Sequence, residues 1–216
     1  PVVYTSSLPQ ESAPKPFLIA IAGPSCAGKT EVASRVAARL GAQVLTLDSY
    51  YRDLAHLPLS ERAGMNFDTP DALESELLIE HLQQLMAGHS VQAPVYDFSQ
   101  HIRAAQTRLI QPSFFIILEG LWALYWEQVR GLASLKVFVA APDDICLARR
   151  IARDTRERGR TAESVVEQYR RAVQPMARLY ILPTMRYADL VLDGAGRLEE
   201  SVEAVLARIP APRPEP

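Results

Sequence analysis

The chain has 216 residues, 48% of them apolar and 22% charged, with a formal net charge of −2. That length can bury a substantial core without metals or disulfides, and the near-neutral balance provides no overall field favouring nucleic acid or a membrane surface. Cys26 and Cys146 lie far apart with no metal-ligand spacing, and neither a bilayer-spanning apolar run nor a signal peptide is evident. One domain in a reducing, cytoplasmic compartment is therefore expected, with no nucleic-acid or membrane partner.

Residues 1–16 are rich in Pro and Ser and read as a flexible tail. Residues 17–22 (Phe-Leu-Ile-Ala-Ile-Ala) are an apolar run fit for a buried strand, and residues 29–40 place Val32, Val36 and Leu40 at helical spacing. Between them stands Gly23-Pro-Ser-Cys-Ala-Gly-Lys-Thr30, which reads G-x-x-x-x-G-K-T. Strand, glycine loop and helix together make this a phosphate cradle, with inward N–H groups and a positive helix end. Gly23, Ser25, Cys26, Ala27, Gly28, Lys29 and Thr30 are the expected triphosphate contacts. Lys29 would reach the β and γ phosphates, and the Thr30 hydroxyl would reach Mg²⁺. The 23 basic residues include only three lysines, Lys15, Lys29 and Lys136, yet one stands in the loop, where a compact ammonium fits better than a guanidinium fork.

A second strand is predicted over 43–48, ending on Asp48. That carboxylate is suited to take a proton or hold Mg²⁺, although Asp is equally common as a cap or turn residue. A helix is predicted over 71–87. From about 88 to 111 the pattern changes to two short strands around a turn, a hairpin flap beside the main sheet. Residues 113–119 form the next strand and end on Glu119, the expected place for a second metal-associated acid. Strands over 135–140 and 188–192 and helices over 142–158, 162–173 and 198–208 follow, then a proline-rich tail at 210–216. Apolar strands alternating with amphipathic helices predict an α/β fold of the P-loop NTPase type. Its three layers are a parallel sheet between helices, with the flap and an arginine-rich lid added to a single domain over 17–209. The lid spans about 149–161: between Leu147 and Arg160 six arginines face only Asp154 and Glu157. A charge run is usually a solvated helix face, but nucleotide phosphates are the natural counter-charge here.

The blocks Leu47-Asp-Ser-Tyr-Tyr51, Asn66-Phe-Asp-Thr-Pro-Asp-Ala72, Pro94-Val-Tyr-Asp-Phe-Ser-Gln-His101, Glu119-Gly-Leu121, Ala148-Arg-Arg-Ile-Ala-Arg-Asp154, Glu157-Arg-Gly-Arg160 and Tyr187-Ala-Asp189 accompany the loop. In that order, over about residues 17 to 194, the chain resembles the uridine–cytidine kinase family within the phosphoribulokinase-like kinases. The resemblance implies transfer of the γ-phosphoryl group of ATP (or GTP) to the 5′-hydroxyl of uridine or cytidine, a pyrimidine-salvage step, in a homotetramer. It implies that Asp48 is the base, with Lys29 and Arg153 as further catalytic groups, and that Thr30, Asp48 and Glu119 surround Mg²⁺. The nucleoside would meet Asp48, Tyr51, Phe67, Asp68, Tyr96, Phe98, His101, Arg150 and Gln168, with Asp68 on the ribose hydroxyls and His101 on the pyrimidine edge. Arg153, Arg158 and Arg160 would close over ATP.

Taken alone, Tyr96 and Phe98 also suit ordinary packing on one strand face, and His101 a surface turn. Thr69, Leu73, Trp122 and Cys26 depart from the family pattern without removing a proposed catalytic group. Two other readings remain open at this stage: a related kinase for another hydroxyl acceptor, and a non-catalytic nucleotide-binding regulator. No Asn-Lys-x-Asp base-reading motif, as in GTPases, is present.

Overall fold

A computed structural model of the chain describes residues 15–62 and 64–210. The tails expected at 1–16 and 210–216 fall almost wholly outside the described residues. The elements that frame the site are β1 (Phe17–Ala22), α1 (Lys29–Leu40), β2 (Gln43–Thr46), α2 (Leu59–Arg62), α3 (Ser75–Met86), β3 (Val91–Asp97), β4 (Ile102–Ile110), β5 (Phe115–Glu119), α4 (Glu127–Leu132), β6 (Leu135–Ala140), α5 (Asp143–Glu157), α6 (Ala162–Gln168), α7 (Gln174–Met176), β7 (Leu190–Asp193) and α8 (Leu198–Leu206).

Five strands make one parallel sheet in the order β2-β5-β1-β6-β7. The apolar runs are continuous because both faces of the sheet are covered. In β1, Leu18, Ala20 and Ala22 pack on one side with Leu45, Leu118 and the α3 residues Leu78, Leu82 and Leu85. Ile19 and Ile21 pack on the other with Val32, Ala33 and Val36 of α1 and Val202 and Val205 of α8. Each fully buried Leu, Ile or Val contributes about 1.5–3 kcal/mol of apolar transfer. The order reverses around β1, so the loop after β1 opens at a topological switch point beyond the strand ends, where ligands bind in open α/β sheets.

The hairpin forms outside this sheet, with β3 and β4 antiparallel and a register shift between Pro94 and Tyr96. The second strand is longer than the short one expected, with β4 running over nine residues. Val91, Ala93, Tyr96 and Ile110 join the core on the α3 side of the sheet.

Several boundaries differ from the sequence reading, and three of these change the type of structure formed. The second strand stops at Thr46, and Asp48 sits in a 3-10 turn over Leu47–Tyr50. Residue 71 does not begin the long helix. Pro70–Ala72 is a separate 3-10 turn, because Tyr51 pairs with Leu73 and the Glu74 amide bonds the Tyr50 carbonyl at 2.9 Å. The helix expected to end at 173 continues beyond it through two π-turns, Tyr169–Val173 and Ala177–Ile181, separated by α7.

Candidate active site

The phosphate loop is held by the sheet it leaves. Gly23 has φ of 147°, and a Cβ there would lie 2.2 Å from the Val139 carbonyl oxygen, so the loop can cross β6 only as glycine. Gly194, after β7, is required by the same logic from the other side, since its Cβ would lie 2.1 Å from the Ala27 carbonyl oxygen. Arg149 closes this corner, donating to the carbonyls of Gly194 at 2.8 Å and Cys26 at 3.4 Å. Cys26 has a left-handed backbone, φ 62°, within the loop. Lys29 is buried and donates to the Pro24 carbonyl at 2.7 Å, curled over the loop that a phosphate would enter.

Two carboxylates face that lysine in unlike states. Glu119, at the end of β5, is buried and accepts from the hydroxyls of Thr46 at 2.7 Å and Thr30 at 3.1 Å. Asp48 is half-buried, and among the described residues its side chain accepts no hydrogen bond. Burial and the Glu119 charge raise the Asp48 carboxyl above its ordinary range, against the opposing charges of Lys29, Arg158 and Arg153. Burial also lowers the Lys29 ammonium, against the charges of Glu119 and Asp48. The hydroxyl of Thr30 with the carboxylates of Asp48 and Glu119 is an all-oxygen donor set, the hard chemistry that suits Mg²⁺.

The acceptor side is assembled from three separate segments. Tyr51 is buried and donates its hydroxyl to the Phe67 carbonyl at 3.2 Å. Its ring lies against Phe67 (5.7 Å between centroids), Tyr96 (5.3 Å) and Phe98 (6.3 Å). Tyr96 and Phe98 do not share a strand face as their spacing suggested. Phe98 lies past the end of β3, half-exposed, with its ring edge-on to Tyr96 at 5.2 Å. The turn after it is shaped by Asp97, which accepts from the Ser99 amide at 2.8 Å and the Ser99 hydroxyl at 2.6 Å. His101 has a left-handed backbone, φ 54°, and stacks on Phe67 at 4.6 Å. Asp68 is half-buried, and burial raises its carboxyl against the opposing charge of Arg150.

One cavity of about 830 Å³ joins these parts. The phosphate loop, Asp48 and Glu119 line it together with Tyr51, Asp68 and Phe98 on one side and Arg149, Arg150, Arg153 and Arg158 on the other. Phe67, Tyr96, His101, Arg160 and Gln168 do not line it. The first three stand behind Tyr51 and Phe98 in the aromatic cluster. Arg160 and Gln168 bond each other, and Gln168 also accepts from Arg150 at 3.3 Å. Gly23 lies beneath the loop, against β6.

Several residues that build the site carry no mark in the motifs. Thr46 precedes the quoted Leu47–Tyr51 block yet fixes Glu119. Arg103 donates to the carbonyls of Tyr51 at 3.0 Å and Tyr50 at 3.3 Å and pairs with Glu74 at 2.6 Å, tying the hairpin to the turn that carries Asp48. Arg62 of α2 donates to the Gln100 carbonyl at 3.0 Å, next to His101. Arg149 and Asp154 fall inside a quoted block, but neither was given a role there; the structure places Arg149 at the Gly194 corner and Asp154 among the lid arginines.

The chain matches the Phosphoribulokinase / Uridine kinase family over residues 18–199. It is 45% identical over 199 residues to a uridine kinase of Chloroflexus aurantiacus, covering 91% of this chain and 95% of that protein. It is 43% identical over 198 residues to a uridine kinase of Deinococcus deserti, with 90% and 96% covered. Among solved structures, the phosphoribulokinase of Rhodobacter spheroides shares the fold, with a TM-score of 0.61, 19% identity, and coverage of 84% of this chain and 73% of that one.

Proposed function

The chain belongs to the Phosphoribulokinase / Uridine kinase family, and from that premise we propose that it transfers the γ-phosphoryl group of ATP to the 5′-hydroxyl of uridine or cytidine, giving UMP or CMP. The observation that carries this reading is the shared cavity. A triphosphate cradle and an aromatic, carboxylate-bearing pocket open into one space, with Asp48 at their meeting point. The relatives at 45% and 43% identity, over nine-tenths of the chain, are uridine kinases.

Catalysis in this reading is positioning and charge neutralisation. ATP lies along residues 23–30 with its phosphates on the loop amides. Lys29 leaves the Pro24 carbonyl to reach the β and γ oxygens, and Arg153 and Arg158 approach from α5 and its end. Thr30, Asp48 and Glu119 would hold Mg²⁺, a fit supported by the all-oxygen donor set and by an Asp48 carboxylate that accepts no hydrogen bond among the described residues. When bound, the ion supplies neutralising charge for the phosphate oxygens. Asp68 accepts from the ribose hydroxyls, and Arg150 supports it from the lid side. Tyr51 and Phe98 flank the base, and Tyr96, Phe67 and His101 back them. Asp48 accepts the proton of the 5′-hydroxyl as that oxygen attacks phosphorus.

The decisive experiment is steady-state turnover of uridine, cytidine and their 2′-deoxy forms with ATP and with GTP. Saturable formation of UMP or CMP, weaker for the 2′-deoxy forms, is expected. Turnover of a different hydroxyl compound with none of uridine or cytidine would overturn the reading. The tetramer implied by the resemblance is checked by light scattering, and the cytoplasmic location by fractionation of the source cells. No helix among the described residues is long and apolar enough to cross a membrane.

A further inference from the structure

Among the described residues, Asp154 is the carboxylate with the most arginine partners. It lies on α5 with none of its surface exposed, and four arginines converge on its two oxygens. Arg153 reaches Oδ1 through Nε and Nη2, both at 2.9 Å. Arg158 stands 3.7 Å from the same oxygen. Arg160 at 3.4 Å and Arg150 at 3.6 Å share Oδ2. The backbone adds to this, since the Asp154 carbonyl accepts from the amides of Arg158 at 3.1 Å and Arg160 at 3.2 Å.

Apart from Gln168, which accepts from both Arg150 and Arg160, these arginines lead in different directions. Arg150 points toward the phosphate loop, donating to the Ser25 hydroxyl at 3.0 Å, and its Nε makes no hydrogen bond. Arg153 and Arg158 line the cavity. Arg160 bonds Gln168 and the Ser164 carbonyl on α6. Without a central anion, four like charges within residues 150–160 would repel one another outward into solvent. With it, Arg153 and Arg158 stay at the cleft before any ligand arrives. A site arranged in advance pays less ordering entropy when charge develops in it.

We propose that Asp154 is the positioning residue of the lid: its buried carboxylate gathers the four arginines and so holds the cavity-lining Arg153 and Arg158 in the arrangement that receives the terminal phosphate of ATP. The proposal rests on the kinase reading for the identity of the nucleotide, though not for the acceptor. It also fixes the sign of an ambiguity. A carboxylate among arginines could instead compete with phosphate for them, and neutralising it would then tighten nucleotide binding.

The test compares the full chain with Asp154→Asn, which keeps the shape and removes the charge. Dissociation constants for ADP and for the non-hydrolysable ATP analogue AMP-PNP are measured by calorimetry with Mg²⁺ and no acceptor. The expected result is at least about a tenfold loss of AMP-PNP affinity with ADP affinity kept within threefold, the factor of a lost charge-assisted contact. Equal losses for both nucleotides would reduce Asp154 to a structural residue and overturn the proposal. Unchanged or tighter AMP-PNP binding would overturn it in favour of competition. Should Asp154→Asn fail to fold, Asp154→Glu keeps the charge and displaces it by one methylene, and a smaller split in the same direction is expected. No split in that variant would likewise overturn the proposal. Because no acceptor is present, an intact split alongside a wild type inactive on uridine and cytidine would fault the acceptor assignment alone.

Discussion

The two ends of the cavity are built by different means. The phosphate end is made of backbone: a loop pinned between β1 and α1, two glycines forced by close approach to β6 and to Ala27, and a buried lysine resting on a carbonyl five residues away. The acceptor end is made of side chains from residues 48–51, 67–68 and 96–101, which meet only because Arg103, Glu74 and the Tyr51–Leu73 pairing bring the hairpin and the 47–50 turn together. In the proposed reaction the first end recognises what every nucleoside triphosphate shares, so a local motif suffices, whereas the second must read one acceptor through tertiary contacts.

Four substitutions probe this difference, from the largest expected effect to the smallest. Asp48→Asn strikes the point where the two ends meet, and turnover should fall about 10²–10⁴-fold with ATP binding kept. A near-normal rate would remove Asp48 as the base. The same group should set the acid limb of kcat/KM. Its carboxyl is raised, so activity falls as pH drops through a value above the ordinary carboxylate range, and the limb disappears in the variant. The sign for stability is opposite. A carboxyl raised on folding binds its proton more tightly in the native state, so its contribution is present at low pH and lost as pH rises through the folded value. Ionised Asp48 therefore costs stability at neutral pH, and Asp48→Asn should raise Tm in the absence of Mg²⁺.

Asp68→Ala acts on the acceptor end alone. The nucleoside KM should rise about 10–100-fold through lost charge-assisted hydrogen bonds, with the KM for ATP little changed. An unchanged nucleoside KM would contradict the ribose assignment. Arg103→Ala touches neither substrate but loosens the hairpin from the 50–51 carbonyls, and a rise of about fivefold in nucleoside KM is expected, again without an ATP effect. Equal changes in both constants would mean that the two ends are not separately supported. Thr46→Val removes one 2.7 Å hydrogen bond to Glu119, and a two- to fivefold loss of kcat is expected on the order of a single bond. Steady-state kinetics at varied Mg²⁺ checks it, since a loosened Glu119 should raise the Mg²⁺ requirement.

The phosphate loop, the strand and helix that bracket it, the five-stranded parallel sheet and Glu119 at a strand end were all legible in the sequence. Each depends on residues close together in the chain: an apolar run covered on both faces, a glycine pattern, a 3.6-residue period. Asp48, Asp68 and the flap aromatics were legible through the family blocks, but not their mutual placement. The sequence reading put Asp48 on a strand and paired Tyr96 with Phe98 on one face. A 3-10 turn over residues 47–50, tied by backbone hydrogen bonds to residues 72–74, and the end of β3 at Asp97, whose carboxylate holds the turn through Ser99, decided otherwise. Only the tertiary structure separates Arg149 at the Gly194 corner from Arg150 beside Ser25, and only it shows Asp154 as the centre of a charged run instead of one acid within it. Charge and hydropathy can be counted along a chain, but burial and convergence are properties of segments folded against one another, and the function of those side chains lies in that convergence.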